Sequence, residues 1–534
     1  LAVAGVAVSK AKASGTVEAK VADGSSFAAD NVEITANVTT QTAKDKNNNE
    51  YTVDNVSAKT IGATASGQYA VGFNTAYAEN AMTVSVDVGK EQYNVNALKL
   101  KADNASVIAA DTLGVTVGGY IASGSNWSDT KTNLTTSVKA AGVKENVYNS
   151  LGTVNISSSG YSAVNNDANG YGGGIVGFNP VAARSQNKIT TNTTADVSGK
   201  WQNVGSLSVA ANNADKLDIL ADSLTAAVVG ASGTEIKNKV AHNANINVTG
   251  DITTSGKQSY IANNTLNHDV DLKGSGYGGG SVNVNDMDNE LKYTAGVNID
   301  NANLSGTGSA GSIEALAYTD GKMNYSNTLK SAGVIPVTIA ASKNVITYDN
   351  SINVTGSNLS TAKADQDITL AATDETTATF DTTADTQGGA VGAASAKTDN
   401  TLNRSNKITV TDGKILSTND VNIYAGANLD GITSSLTYNV LADAYNKTAV
   451  PLTAPKAKNT MTQENQVSIN GDIDSVRHVN FKAGKGMTTV STSAREYNIY
   501  KGTSGSGSVT STALGEVTPG ETVTNYVDIA SGKN

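Results

Sequence analysis

The chain has 534 residues, no cysteine and a net charge of −10, and only 16% of its residues are charged, against about 25% in an ordinary domain. That composition excludes disulfide scaffolds, zinc–thiolate clusters and iron–sulfur sites. It also argues against nucleic acid as a partner, because phosphate binding needs clustered Lys and Arg, and the only arginines are Arg184, Arg404, Arg477 and Arg495.

Aromatic residues make up 5% of the chain, while Gly, Ala, Ser, Thr, Asn and Val are abundant. A disordered chain of this polarity would lack β-branched alternation. Here it recurs throughout, and period-two alternation predicts strands with one buried face. The first candidate strand is Val3-Ala-Gly-Val-Ala-Val8. Similar Gly- and Ala-rich strands follow at Ala70-Val-Gly-Phe-Asn74, Ile175-Val-Gly-Phe-Asn179, Val228-Val-Gly-Ala231 and Ala390-Val-Gly-Ala393. A second type is flanked by Asn: Val84-Ser-Val-Asp-Val88, Ile246-Asn-Val248, Ile352-Asn-Val354, Ile408-Thr-Val410 and Val467-Ser-Ile469.

A third type places a large apolar residue two positions before a small one. It begins at Ile34, Leu100, Ile156, Val209, Tyr260, Ile313, Leu370, Ile423 and Phe481. Consecutive starts lie roughly 51 to 66 residues apart, and a self-similar period of this size marks a repeat architecture. The three strand types read as three edges of a narrow coil. The glycines Gly72, Gly177, Gly230 and Gly392 would leave room for larger residues opposite, with the Gly-Ala strand as counterpart of the large-small strand.

The pairs Asp23-Gly24, Asn169-Gly170, Asp320-Gly321, Asp412-Gly413, Asp430-Gly431 and Asn470-Gly471 are predicted as tight corners, which need positive φ. The polar stretches Thr39–Asn55, Ser123–Asn149 and Thr373–Gln387 are predicted as loops. Coils of about 18–25 residues would give two to three per unit, and a rod of about 100–145 Å at ~4.8 Å per layer. No apolar run approaches the ~18 residues of a membrane span. The start at Leu1 is apolar without a basic segment before it, so residues 1–534 read as one continuous array of nine to ten units from a longer protein.

The alternation of Ala-Val-Gly-Phe-Asn-Thr-Ala76 and Ile-Val-Gly-Phe-Asn-Pro180 with Asp-Asn-Val-Glu-Ile34 and Arg-His-Val-Asn-Phe481 resembles the repeat regions of giant bacterial filamentous adhesins, the haemagglutinin- and leukotoxin-like exoproteins. The resemblance covers nearly the whole chain but is one of texture. It implies a right-handed parallel β-helix, displayed outside the cell or at the bacterial surface. Implied partners are further repeats of its own chain, other copies in a filament, and host or bacterial surface ligands. Two alternatives are a self-assembling filament or surface-layer subunit and a β-helical carbohydrate-active enzyme.

No catalytic, cofactor or metal residue is assigned from the sequence, and no enzymatic activity is expected. The three histidines, His242, His268 and His478, are far apart and read as surface or loop residues. Asp286-Met-Asp288-Asn-Glu290 is the best acidic cluster. Oxygen ligands of this kind suit Ca2+, but the cluster lacks the loop glycine of known calcium motifs and reads as a solvated turn. Tyr171-Gly-Gly-Gly174 and Tyr277-Gly-Gly-Gly280 read as flexible entries to the Gly-Ala strand. The twenty tyrosines are candidate adhesive surface groups, since Tyr offers a large apolar area with a polar tip.

Overall fold

The computed structural model describes residues 2–44, 50–428, 434–484, 486–501, 508–514 and 516–530. They are all-β, with no helix among them. Nearly every strand pairs in parallel with the strand one repeat away. Ile313 lies level with Gln258 on one side and Ile368 on the other. The exceptions are two antiparallel pairings, Gln41–Lys44 with Glu50–Val53, and Met487–Lys501 with Ser508–Leu514. The result is a parallel β-solenoid.

One layer of the stack takes a whole repeat. Residues in register on adjacent layers stand 51 to 67 positions apart, as in Asn238–Asn289, Asn465–Asn525 and Ala2–Tyr69. Coils of 18–25 residues are therefore overturned. Nine layers at ~4.8 Å give a stack of about 43 Å, not a rod of 100 Å or more. The extra chain length goes into the width of each coil.

The layer that starts at Ile313 shows how. The chain runs outward to Ala332, reverses at Gly333–Ile335, and returns to Thr355, all within the strand Ile313–Thr355. Outward and return limbs face each other: Thr319 Oγ1 donates to Asn350 Oδ1 at 2.7 Å, and Asn327 Nδ2 donates to the Ala341 carbonyl at 2.7 Å. A short third side, Asn358–Thr361, closes the base. Each limb of about 20 residues spans roughly 66 Å at ~3.3 Å per residue. The coil is thus a flattened loop with a base and a tip.

This geometry reassigns the three strand types. The large-small segment opens the outward limb. The Asn-flanked segment ends the return limb and packs against it in an aliphatic core at the base, where Ile352 and Val354 join Ile313, Ala315 and Leu370. The Gly-Ala segment lies at the tip, so it is not the counterpart of the large-small strand. The predicted column holds from Ile34 to Leu100 to Ile156, and from Leu370 to Ile423 to Phe481. It fails on both sides of Ile313: Tyr260 and Leu370 are each level with Ala315 instead. Tyr260 is fully buried with its hydroxyl on Gln258, so the next layer offers a small residue at that height.

A second core lies further out and is more aromatic, with Tyr293, Tyr325, Tyr348, Phe380 and Tyr438 among its members. Tyr325 and Phe380 stack at 5.3 Å, and Phe380 lies 5.2 Å from Tyr438. Many of the tyrosines are therefore structural. Beside these rings, the return limbs carry a buried asparagine ladder. Asn187 donates to Asn238 at 2.8 Å, Asn238 to Asn289 at 2.7 Å, Asn289 to Asn344 at 2.6 Å, and Asn344 to Asn400 at 2.6 Å. Buried amides are costly unless paired, and identical residues stacked in register pair each other.

Several predicted corners and loops are strand. Ser123–Asn149 is largely the strand Ile121–Gly142, and Thr373–Gln387 lies in Ile368–Gln387. Their Thr and Asn alternate between solvent and the polar interior, a pattern that reads as a loop without the layers. Gly24 and Asp412 do take positive φ. Asn169-Gly170, Asp320-Gly321 and Asn470-Gly471 lie inside strands. A Cβ on Gly170 would sit 2.1 Å from the Ala182 carbonyl oxygen, so that glycine serves close approach of the two limbs. Asp430-Gly431 lies outside the described residues.

Candidate functional site

Two charged assemblies could carry chemistry, one inside the solenoid and one on its surface. The interior one corrects the reading of His242 and His268 as loop residues. Both point inward and are 1% exposed. They converge with Tyr293 on Asp215, one oxygen of which lies 2.9 Å from His268 Nε2, 3.2 Å from His242 Nε2 and 3.1 Å from the donating Tyr293 hydroxyl. His268 Nδ1 lies 2.7 Å from the Tyr325 hydroxyl. His242 stacks on the Tyr293 ring at 5.4 Å.

Burial alone would raise the Asp215 carboxyl. The two imidazoles outweigh it and hold that carboxyl below its ordinary range. Burial pushes the Tyr293 and Tyr325 hydroxyls well up. The ingredients are those of an acid–base site, but a solute has no route to them: the Asp215 and His268 side chains are fully buried. Inside the second core His268 is satisfied by Asp215 and Tyr325, whereas Asp215 Oδ1 and His242 Nδ1 are buried without a hydrogen-bond partner. A similar knot lies between the two cores. Arg404 Nε donates to Asp374 at 2.5 Å, and Asn406 donates to the same carboxylate at 2.7 Å. His478 is exposed, as expected, and sits 3.0 Å from Asp420.

The surface assembly lies on the outer face of the return limbs. Asp286, Asp288 and Glu290 alternate outward along one strand, with Asn285, Met287 and Asn289 pointing in. They form a straight row, not a turn. Each stands level with residues on neighbouring layers: Asp286 with Glu235, Asp288 with Lys237 and Lys343, Glu290 with Lys239. Lys239 Nζ is 2.8 Å from Glu290. Burial, then the Glu235 charge, raises the Asp286 carboxyl, against the pull of Lys237.

Asp288, Glu290, Lys188, Lys237, Lys239 and Lys343 line a trough of about 410 Å³. A second trough of about 460 Å³ on the same face is lined by Asp349, Asn353, Lys407 and Glu464 among others. Its floor continues an outer amide row in which Asn353 donates to Asn298, Asn298 to Asn247, and Asn247 to Asp196. The first trough draws its carboxylates from a single strand, and lysines flank them. Among the described residues no group of three or more His, Asp or Glu is placed to hold a metal ion.

The sequence singled out Asp286, Asp288 and Glu290, but not the lysines that meet them. The signal for those partners was the repeat offset itself: Lys237 and Lys239 stand one layer, 51 positions, before Asp288 and Glu290. No family model, curated protein or solved structure matches the chain.

Proposed function

We propose that the chain is the structural and adhesive body of a bacterial exoprotein, displayed at the cell surface or released, and built as a right-handed β-helix of irregular repeats of about 53 residues. The observation that carries this reading is the outer face of the return limbs. From Asp196 through Asn247 and Asn298 to Asn353 it carries a row of hydrogen-bonded polar side chains at ~4.8 Å spacing, beside lysines and carboxylates in two troughs. Such a face offers many weak polar contacts in a line. Multivalent display of that kind raises avidity without a deep pocket, and suits an extended polar ligand such as a glycan chain or a matrix protein. The acidic, cysteine-free composition fits an exported surface that is held by strand ladders.

The test is retention of beads coated with the 534-residue chain on cell-surface and matrix glycans under flow. Retention should fall at least tenfold when Lys188, Lys237 and Lys239 are replaced together by Glu. Retention unaffected by that change, or absent from every surface, overturns the proposal. So does release of sugar fragments from a polysaccharide by the chain, which would mark an enzyme instead.

A further inference from the structure

The tips of the coils form a surface that neither the binding face nor the core explains. Eight successive tips are free of Asp, Glu, Lys, Arg and His: residues 60–78, 112–128, 168–183, 223–234, 274–285, 331–342, 386–396 and 448–455. Every charge of the chain falls elsewhere. These same segments expose many of the large apolar residues. Phe178, Val228, Val229, Val334, Ile335 and Leu452 are each 55% to 59% exposed.

They align into one ridge along the stack. The Tyr120 amide bonds the Gln68 carbonyl, and the Val176 amide the Tyr120 carbonyl. Gly280 is level with Val229 on one side and Ile335 on the other. The Ala390 amide bonds the Val334 carbonyl, and the Val450 amide that of Ala390. Glycine lets the tips close-pack: a Cβ on Gly278 would meet the Ala227 carbonyl oxygen at 1.6 Å, and one on Gly333 the Gly278 oxygen at 1.9 Å. The Tyr277-Gly-Gly-Gly280 motif is therefore a tight reversal between the limbs, not a flexible entry.

We infer that this ridge is a self-association surface that joins two copies of the chain side by side. Three features favour a second copy. The first is relief: Val228 and Val229 stand up, Gly279 and Gly280 leave a hollow, and Val334 and Ile335 stand up again. Repeated knobs and hollows on one line are self-complementary under a two-fold axis. The second is area. Eight layers make a ridge about 38 Å long and, with its flanks, about 20 Å wide, or roughly 700 Å² per copy, close to the ~800 Å² per partner of a stable interface. The third is charge. Interface cores are depleted of charge, whereas a surface that docks on anionic lipid carries Lys and Arg, and this ridge has none. Side-by-side pairing leaves the troughs of both copies open.

Sedimentation velocity of the 534-residue chain across micromolar concentrations tests this. Dimers are expected, with at least tenfold weaker association after the double substitution Val229→Asp and Ile335→Asp, and after the milder Val229→Ser with Ile335→Ser a smaller loss. Lys322→Asp, exposed on the outward limb, should leave association unchanged. Far-ultraviolet circular dichroism should be the same for all four proteins. A chain that stays monomeric at 100 µM, or a dimer indifferent to both ridge variants, overturns the inference. So does flotation with anionic phosphatidylserine vesicles that the ridge variants abolish, because it would assign the ridge to lipid. Bead retention on glycans is read separately, so failure of either proposal leaves the other to its own test.

Discussion

At the base of the coil, Leu100, Ile156, Val209, Tyr260 and Leu370 stack layer on layer, and none is more than 1% exposed. At the tip, the stack runs through Val229, Gly280 and Ile335, and both of its large side chains are more than half exposed. The two ends share one backbone ladder and one set of neighbours. They differ in what lies across the loop. The base has a facing limb and a third side, so apolar side chains can turn inward. At the tip the chain reverses too sharply for that, and only glycine and small residues fit between layers. Burial of apolar side chains stabilises one end; backbone hydrogen bonds and a few buried polar pairs, such as Thr338 with Thr386 at 2.6 Å and Asn179 with Thr225 at 3.2 Å, hold the other.

The largest effect is expected from breaking the base. Leu370→Ala should cost about 2–5 kcal/mol, the range for a buried leucine that leaves a cavity. Ile335→Ala at the tip should stay within about 0.5 kcal/mol, as for surface substitutions. Urea unfolding followed by circular dichroism measures both, and equal losses would erase the distinction between the two ends. Next comes the amide ladder between them. Asn289→Ala removes a donor to Asn344 and an acceptor for Asn238, and should cost about 1–3 kcal/mol because partners are left buried and unpaired. Hydrogen exchange should show the loss centred on the adjacent layers, as nearest-neighbour coupling in a solenoid predicts.

The smallest effect concerns the first layers, where Glu79 meets Lys12 and Lys131. Hydrogen bonds from Lys12 and then Lys131 hold its carboxyl down at about 2, against an ordinary 4.5. A depressed folded value means that the stabilisation is complete above about pH 4.5 and is lost as pH falls toward 2. Melting temperature should drop across that window, and Glu79→Gln should flatten the drop. An unchanged slope in the variant would assign the acid sensitivity to other carboxylates, Asp215 first among them.

The base was legible because its period is a packing requirement. Each layer must place a large residue and a small one at fixed heights, so Ile34, Leu100, Leu370 and Ile423 announce the repeat. The tip left a weaker trace in the sequence, as charge-free windows of which four contain Gly-Gly; runs such as 146–166 are equally free of charge, so the windows stand out only once they are known to share one edge. The buried histidines were not legible. Ala-His-Asn and Asn-His-Asp look like loops, and only the reversal of the coil, for His242, and the layer offset, for His268, bring them to the same carboxylate. The same holds for the ladder asparagines, since an inward and an outward Asn are one residue apart in an alternating strand.

By itself, then, the sequence determined an all-β chain with a repeat of about fifty residues, because alternation and large-small spacing are local demands of a stacked strand. The tertiary structure decided how much chain one layer consumes, which of two Asn rows is inside, and where the charges meet. Those depend on contacts between residues fifty or more positions apart and across a loop, and no local pattern encodes the path that joins them.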